Sequence, residues 1–127
     1  MTGLTIADKI ELVKAHNYFR QIVARGQAPG QPGATDMLEM YWSEEIAEKA
    51  NEFADKCVFA HDTNNDRKTV NFPTVGQNLA YAGAFNGDAN YNLTYLVELW
   101  YDEVELYEGE SATVDQFVFN YDTGHYT

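Results

Sequence analysis

The sequence predicts a single α+β domain that is mainly helical. Three segments of the 127-residue chain repeat apolar residues at helical spacing, and one short apolar run, 117–121, fits either a strand or an ordered loop. Nine Tyr, seven Phe and two Trp supply large side chains for a core. A chain of this length can bury such a core without metal or disulfide crosslinks, so residues 1–127 are expected to form one domain.

The first predicted helix runs from about residue 6 to residue 25. Thr5 and Asp8 resemble a capping box, in which a hydroxyl and a carboxylate satisfy backbone N–H groups at the start of a helix. Apolar residues follow at helical spacing, and Gly26 is expected to end the helix. The next stretch, 26–33, holds two prolines and three glycines, which favour a surface loop.

The second predicted helix begins after Ser43, where a hydroxyl cap is followed by Glu44 and Glu45. Its apolar residues keep helical spacing through 46–58. The strongest helix pattern covers 93–107, which has one broad apolar face.

Turn-forming residues dominate the polar segments between these helices. The segments 62–76 and 82–90 are therefore expected to be irregular, and Gly109 lies just past the third helix.

Charge and composition exclude several classes of partner. The net charge is -12, so nucleic acid and anionic membrane surfaces would be repelled. No apolar run approaches the ~18 residues of a spanning helix, and residues 1–5 do not resemble a signal peptide. Cys57 is the only cysteine, which taken alone favours a cytosolic protein. The chain is thus either cytosolic or the mature part of a secreted protein.

The histidines are the first candidates for chemistry. There are three, His16, His61 and His125, and each taken alone is most simply a solvated or hydrogen-bonded side chain. His16 lies inside the first predicted helix, where a structural role is expected. No Ser/His/Asp or Cys/His arrangement is supported by spacing, so nucleophilic catalysis has no sequence signal.

Five short strings, read together in chain order, carry a resemblance to a known family. They are 15–20 (AHNYFR), 57–62 (CVFAHD), 75–80 (VGQNLA), 99–104 (LWYDEV) and 123–127 (TGHYT). The chain resembles the CAP superfamily of cysteine-rich secretory proteins, antigen-five venom allergens and plant pathogenesis-related proteins of class one. The Gly/Pro loop and Gln77 are most similar to the arthropod antigen-five branch.

This resemblance implies a three-layer α-β-α sandwich with an open, acidic cleft. Carried over by motif, the cleft residues are His61, Gln77, Glu103 and His125. In several relatives the two histidines bind zinc or a similar divalent ion, which makes His61 and His125 the candidate metal ligands. Glu103 would be the third ligand of such a site.

The sequence departs from the family pattern in three places. Gln77 stands where much of the superfamily has Glu, and an amide cannot act as a general base, so only Glu103 remains for that role. The chain ends at Thr127 inside the family motif, so an incomplete domain that lacks its C-terminal strands and exposes a sheet edge is expected. Cys57 has no partner, and Asn64 stands where antigen-five relatives often have a cysteine.

The resemblance implies a secreted, extracellular protein. Because Gln77 stands in place of an acid and spacing supports no catalytic arrangement, we expect this protein to be non-enzymatic, and we expect a monomer. It would bind a small lipid, sterol or fatty acid and a divalent cation, and an extracellular or host protein is a further expected partner. Leu96, Trp100 and Val104 are the candidate lipid groove between the third and first helices, although such an aromatic-rich face is most simply core. Asn92 begins an N-glycosylation sequon and fits a helix cap equally well.

Two other interpretations remain open at this point. One is a metal-dependent hydrolase or peptidase, in which His61 and His125 hold zinc and Glu103 activates water. The other is a fragment whose activity is lost with its missing strands, which predicts weak thermal cooperativity.

Overall fold

A computed structural model describes residues 3–83, 92–107 and 118–127. In these ranges the chain forms four α-helices and two short 3₁₀ helices. The α-helices are α1 (Ile6–Ala24), α2 (Glu44–Ala54), α3 (Asn64–Arg67) and α4 (Leu93–Tyr101), and the 3₁₀ helices are Asp102–Leu106 and Tyr121–Thr123.

The described ranges contain no β-strand, so the strand layer of the expected α+β sandwich is not confirmed. The candidate strand 117–121 is wrong for its described part, because 118–120 are irregular and Tyr121 opens a 3₁₀ helix. Phe117 and most of the segment 82–90 lie outside the described residues, as does Gly109.

The first helix confirms the sequence prediction at both ends. The Thr5 amide donates to Asp8 Oδ2 at 2.7 Å, and the Asp8 amide donates to Thr5 Oγ1 at 3.2 Å, which completes the capping box. The helix ends at Ala24, and Gly26 follows in the left-handed region with a φ of 68°. A Cβ atom at Gly26 would also lie 3.3 Å from the Gly33 amide nitrogen, so glycine is required there.

The capping box makes the stability of α1 sensitive to acid. Hydrogen bonds from Thr5 lower the pKa of Asp8, so this carboxylate contributes stability above its unfolded pKa of about 3.9. That contribution is lost as the pH falls through the lowered folded pKa. We expect the thermal midpoint to fall on acidification below about pH 4. The Asp8→Asn variant, followed by circular dichroism, should lose part of this dependence, and an identical pH profile would contradict the assignment.

The second helix is shorter than its apolar pattern predicts. It begins after Ser43 as expected but ends at Ala54, so placing Cys57 and Val58 on the helix is wrong. The physical reason is a change of direction, since Cys57 has a φ of 52° and its amide donates to the Ala54 carbonyl in a tight turn. Cys57 and Val58 are both exposed.

The core lies between α1 and α4. Ala15, Phe19 and Val97 are buried there, and the Phe19 and Tyr101 rings stack with centroids 4.6 Å apart. The predicted helix 93–107 is α-helical only to Tyr101 and continues as the 3₁₀ helix Asp102–Leu106. None of the described helices is long and apolar enough to cross a membrane.

Candidate functional site

The loop around α3 is held in shape by side chains that reach across it. Arg67 donates to the carbonyl oxygens of Asp62, at 2.9 Å, and Val75, at 2.5 Å. Asn64 donates to the Pro73 carbonyl at 3.0 Å and accepts from the Val75 amide at 2.9 Å. These bonds bring the irregular segment before Gln77 alongside the residues that follow His61.

This loop places His61 against Gln77. Nδ1 of His61 lies 2.8 Å from Oε1 of Gln77, and the same oxygen accepts the Asp62 amide at 3.3 Å. The imidazole is exposed, whereas Asp62 is tied to Arg67 by an ion pair. Gln77 therefore orients the His61 ring and also binds the backbone amide of Asp62.

The second histidine of the site is held by Glu103, on the 3₁₀ helix that follows α4. Nδ1 of His125 lies 2.6 Å from Oε1 of Glu103, and Oε2 accepts the amides of His125 and Tyr126 at 2.8 and 3.1 Å. Asn78 donates to the His125 carbonyl at 3.1 Å. The Glu103 side chain is only 19% exposed, so these charge-assisted bonds hold the segment around His125 in place.

Trp100 lies between His125, which is bound to Glu103, and the helical core. Its ring stacks over His125 at a centroid distance of 6.3 Å, and its indole donates to the Leu79 carbonyl at 3.0 Å. On its other side Trp100 lies 5.8 Å from the ring of His16, whose Nδ1 donates to the Leu12 carbonyl. His16 thus has the structural position expected of it.

The four residues carried over by motif come together. His61 and His125 face each other with ring centroids 6.5 Å apart, and each has its own partner, Gln77 for the first and Glu103 for the second. Among the described residues the Nε2 atoms of both histidines have no hydrogen-bond partner. The site therefore consists of two oriented imidazoles, each with one ring nitrogen available.

The donor set fits a divalent cation in part. Metal-bound imidazoles usually donate their other ring nitrogen to a carboxylate or carbonyl oxygen, which is the arrangement found here for both His61 and His125. Two imidazoles sharing one ion would have centroids roughly 5 Å apart, because the metal–nitrogen bond is ~2.0 Å. From the observed 6.5 Å the rings would have to approach each other by about 1.5 Å.

Glu103 does not serve as a third ligand in this arrangement, since both its oxygens accept hydrogen bonds from the chain. Within 3–83, 92–107 and 118–127, no group of three His, Cys, Asp or Glu side chains is placed to hold a metal ion. Two imidazoles are fewer side-chain ligands than a zinc site normally has, so the described residues match such a site only in part.

The candidate lipid-groove residues have mixed positions. Val104 is buried, Leu96 and Trp100 are half-buried, and α1 packs directly on α4 beside them. An open depression of about 550 Å³ lies between α1 and the start of α4, and it is lined by Ala7, Ile10, Glu11, Lys14, Ala15, Tyr18 and Thr94. The role of Leu96, Trp100 and Val104 in lipid binding stays a prediction.

Asn92 caps α4, as one of its two sequence interpretations predicted. Its Oδ1 accepts the Tyr95 amide at 3.2 Å, and the residue is exposed. The sequon interpretation stays a prediction.

The sequence did not predict the supporting roles of four residues. They are Asn64, Arg67, Asn78 and Trp100, which bind backbone carbonyls or stack on the His125 ring. Their signal was weak, because each acts through a partner that is distant in sequence.

The helical core thus carries two neighbouring histidines, each oriented by a side chain from a different segment. The model of the cysteine-rich secretory protein family, CAP, matches residues 13–127, and the chain belongs to this family. The resemblance inferred from the five strings is thereby confirmed. No solved structure matches the chain with significance.

The chain is similar to curated proteins of the same kind. It is 40% identical over 130 aligned positions to Venom allergen 5 of Dolichovespula arenaria, covering 98% of this chain and 61% of that protein. It is 40% identical over 135 positions to Venom allergen 5 of Vespa velutina, covering 99% and 61%. Scoloptoxin SSD43 of Scolopendra dehaani is 38% identical over 102 positions, covering 80% and 46%. The chain thus spans between 46% and 61% of the length of these relatives.

Proposed function

We propose that this protein is a secreted, non-enzymatic CAP-domain protein that binds a small lipid, with a fatty acid or sterol as the ligand class. The observation that carries this proposal is the open depression between α1 and the start of α4. The depression is wide open to solvent and its surface is mainly apolar, which suits contact with the hydrocarbon part of a lipid.

The lining of the depression suits a ligand that is apolar with one polar end. Ile10 and Tyr18 supply large apolar surfaces, and both remain exposed although they lie on a helix that packs against the core. Oε1 of Glu11 accepts the amide and the hydroxyl of Thr94 at 3.0 and 3.1 Å, so this carboxylate is fixed at the edge. Lys14 is the cation of the lining, and it complements the carboxylate of a fatty acid.

An Ile10→Asp substitution tests this site. It places a charge among apolar side chains, where it would be desolvated by a bound acyl chain, so we expect affinity for a fluorescent fatty acid to fall about tenfold or more. Displacement of the fluorescent probe by unlabelled fatty acid or sterol gives the readout.

The matched control is Val70→Asp, which adds the same charge at an apolar residue that is 97% exposed and does not line the depression. Its affinity should equal that of the parent chain. Equal binding by the Ile10 variant would refute the location of the lipid site.

The arrangement of Glu103 supports a non-enzymatic role. A general base needs an oxygen within reach of the water that it deprotonates, whereas both oxygens of Glu103 already accept bonds from His125 and Tyr126. Gln77 has no titratable proton to exchange. The metal-dependent hydrolase that the sequence left open is therefore not favoured.

Divalent cation binding at His61 and His125 is a second candidate function. It is favoured by one specific observation, the engagement of Nδ1 in both rings, which leaves Nε2 for a ligand bond. With two imidazoles and no third side chain, the site would hold zinc weakly and complete its coordination with water.

Secretion is supported by the family and by the names of the relatives, which are venom allergens and scoloptoxins. A secreted chain would pass the glycosylation machinery, and Asn92 is exposed at the start of α4. We expect chain secreted by insect cells to lose mass on enzymatic deglycosylation. The Thr94→Val variant should lose this shift and Thr94→Ser should keep it; a parent chain without glycan would contradict the use of Asn92.

A further inference from the structure

We propose that residues 38–41 form an exposed edge that binds a basic, extended segment of another protein by pairing with its backbone. These residues, called the edge segment below, lie between the loop after α1 and the start of α2. They line neither the depression beside α1 nor the histidine pair. The inference therefore goes beyond lipid binding and does not depend on it.

Two side chains of α1 show that the backbone of the edge segment is extended. Oδ1 of Asn17 accepts the Met40 amide at 2.8 Å, and Nδ2 of Asn17 donates to the Met40 carbonyl at 2.9 Å. Three residues along the same helix, Arg20 donates to the Leu38 carbonyl at 2.6 and 2.8 Å. The N–H and C=O groups of one residue point to the same side in an extended chain, and residues two apart share that side. The backbone groups of Leu38 and Met40 therefore face α1.

The backbone groups of Glu39 and Tyr41 consequently face away from α1. Within the described ranges of the chain, neither the N–H nor the C=O group of either residue makes a hydrogen bond. Both residues are exposed, Tyr41 to 78%. Unpaired N–H and C=O groups at two-residue spacing are the template to which an extended peptide adds as a new strand.

The side chains of the edge segment indicate which peptide fits. Side chains along an extended chain alternate between two faces, so Leu38 and Met40 share one face and Glu39 and Tyr41 share the other. Leu38 is 72% exposed, and the Tyr41 hydroxyl donates to Oε2 of Glu39 at 3.0 Å. A peptide that alternates aliphatic and basic residues matches both faces. Its aliphatic side chains meet Leu38 and Met40, and its cations meet the Glu39 carboxylate and the Tyr41 ring.

Charge favours a basic peptide over a second copy of this chain. Residues 26–48 contain no Lys or Arg and five acids, which are Asp36, Glu39, Glu44, Glu45 and Glu48. Lys9 pairs with Glu44, which still leaves this region acidic. Pairing the edges of two copies would bring two such regions together in chains that each carry a net charge of -12.

Amide hydrogen exchange, followed residue by residue by NMR, tests whether the edge is free and whether a peptide covers it. In the free chain we expect the Met40 amide to exchange slowly, because Asn17 binds it, and the amides of Glu39 and Tyr41 to exchange rapidly. A short capped peptide of alternating Lys and Val should slow the exchange of Glu39 and Tyr41 at least about tenfold. Slow exchange of these two amides in the free chain would overturn the proposal, because the edge would already be covered.

The Tyr41→Pro and Tyr41→Ala variants separate backbone pairing from side-chain contact. Both remove the ring, but only proline also removes the N–H that a paired peptide would accept. Proline favours an extended residue before it, so Met40 should keep its bonds to Asn17. Measured by fluorescence anisotropy of the labelled Lys–Val peptide, affinity should be about tenfold lower for Tyr41→Pro than for Tyr41→Ala. Equal affinities of the two variants would overturn strand pairing.

A peptide of alternating Glu and Val is the control for charge, and it should not bind the parent chain. Equal binding of the two peptides, or no binding of the Lys–Val peptide, would overturn the basic partner. Sedimentation of the parent chain without peptide gives the remaining outcome. A dimer that Tyr41→Pro abolishes would make a second copy the occupant of the edge and would refute the proposal, whereas a monomer supports it. None of these measurements involves lipid, so failure here is distinguishable from failure of lipid binding.

Discussion

Replacing Phe19 with alanine is expected to lower the free energy of unfolding by about 3–5 kcal/mol, the largest effect of any single substitution considered. Phe19 is 9% exposed and stacks on Tyr101 from α4, so its removal opens a cavity between the two helices. Total stabilities of small domains are about 5–15 kcal/mol, and the buried core of the described residues is small. The thermal midpoint should therefore fall by roughly 10 °C or more.

Phe59→Ala is the matched control for this experiment. Phe59 is 69% exposed and makes an edge-on ring contact with Tyr81, at a centroid distance of 6.3 Å, so its removal should cost less than about 1 kcal/mol. If the Phe19→Ala chain does not fold, Phe19→Leu gives the same comparison with a smaller cavity. Equal midpoints for the Phe19 and Phe59 variants, measured by circular dichroism, would show that the α1–α4 contact is not the core.

The Glu103→Gln substitution is expected to release the segment that carries His125. An amide has one acceptor oxygen and one donor group, so at least one of the three donors now bound by Glu103 would face an NH₂ group. Hydrogen bonds to charged groups contribute about 1.5–3 kcal/mol each, so the amides of His125 and Tyr126 should exchange with solvent at least about tenfold faster. Zinc affinity should fall by about 10–100-fold as His125 loses its orientation.

Zinc binding and turnover of the Glu103→Gln variant distinguish a non-enzymatic binding protein from a metal-dependent hydrolase. In a hydrolase Glu103 would activate water without being needed to position His125, and Glu103→Gln would keep zinc while losing turnover. In the present account the variant loses zinc. Glu105→Gln, an exposed acid on the same 3₁₀ helix, is the control and should leave both amide exchange and zinc affinity unchanged.

The sequence predicts those parts of the fold that depend on contacts between residues close together in the chain. The start of α1 was predictable because Thr5 and Asp8 act within one turn. The end of α2 was not, because Cys57 continues the apolar pattern while its backbone turns into the left-handed region to lead the chain towards His61. The bonds that order the loop after α2 join residues as far apart as Asn64 and Val75, and no local pattern encodes them.

In the candidate site, too, the contacts between residues distant in sequence could not be predicted from local patterns. Spacing alone gave no reason to pair His61 with Gln77, 16 positions away, or Glu103 with His125, 22 positions away. The family motifs identified the residues, and the structure brings all four together. The motifs do not show how the acceptors Gln77 and Glu103 orient the two histidine rings. That follows from hydrogen-bond geometry, such as the bond that the Asp62 amide donates to Gln77.

The depression that we propose as the lipid site does not coincide with the groove that the sequence predicted. The aromatic stripe of α4 predicted a groove at Leu96, Trp100 and Val104, yet part of this stripe is used to pack α4 and the 3₁₀ helix against the rest of the chain. The open depression lies instead against the exposed side of α1, at Ile10 and Tyr18. An apolar helical face identifies a surface that is buried or bound, and only the packing distinguishes the two.

Native mass spectrometry of the chain secreted by insect cells tests the central claim, that this CAP-family protein is a lipid-binding protein. We expect a narrow charge-state distribution of a folded chain that carries one lipid, removed by solvent extraction and restored by added fatty acid or sterol. The Ile10→Asp chain should have the same charge states and no lipid. A folded parent chain that stays bare after exposure to both lipid classes would contradict the account.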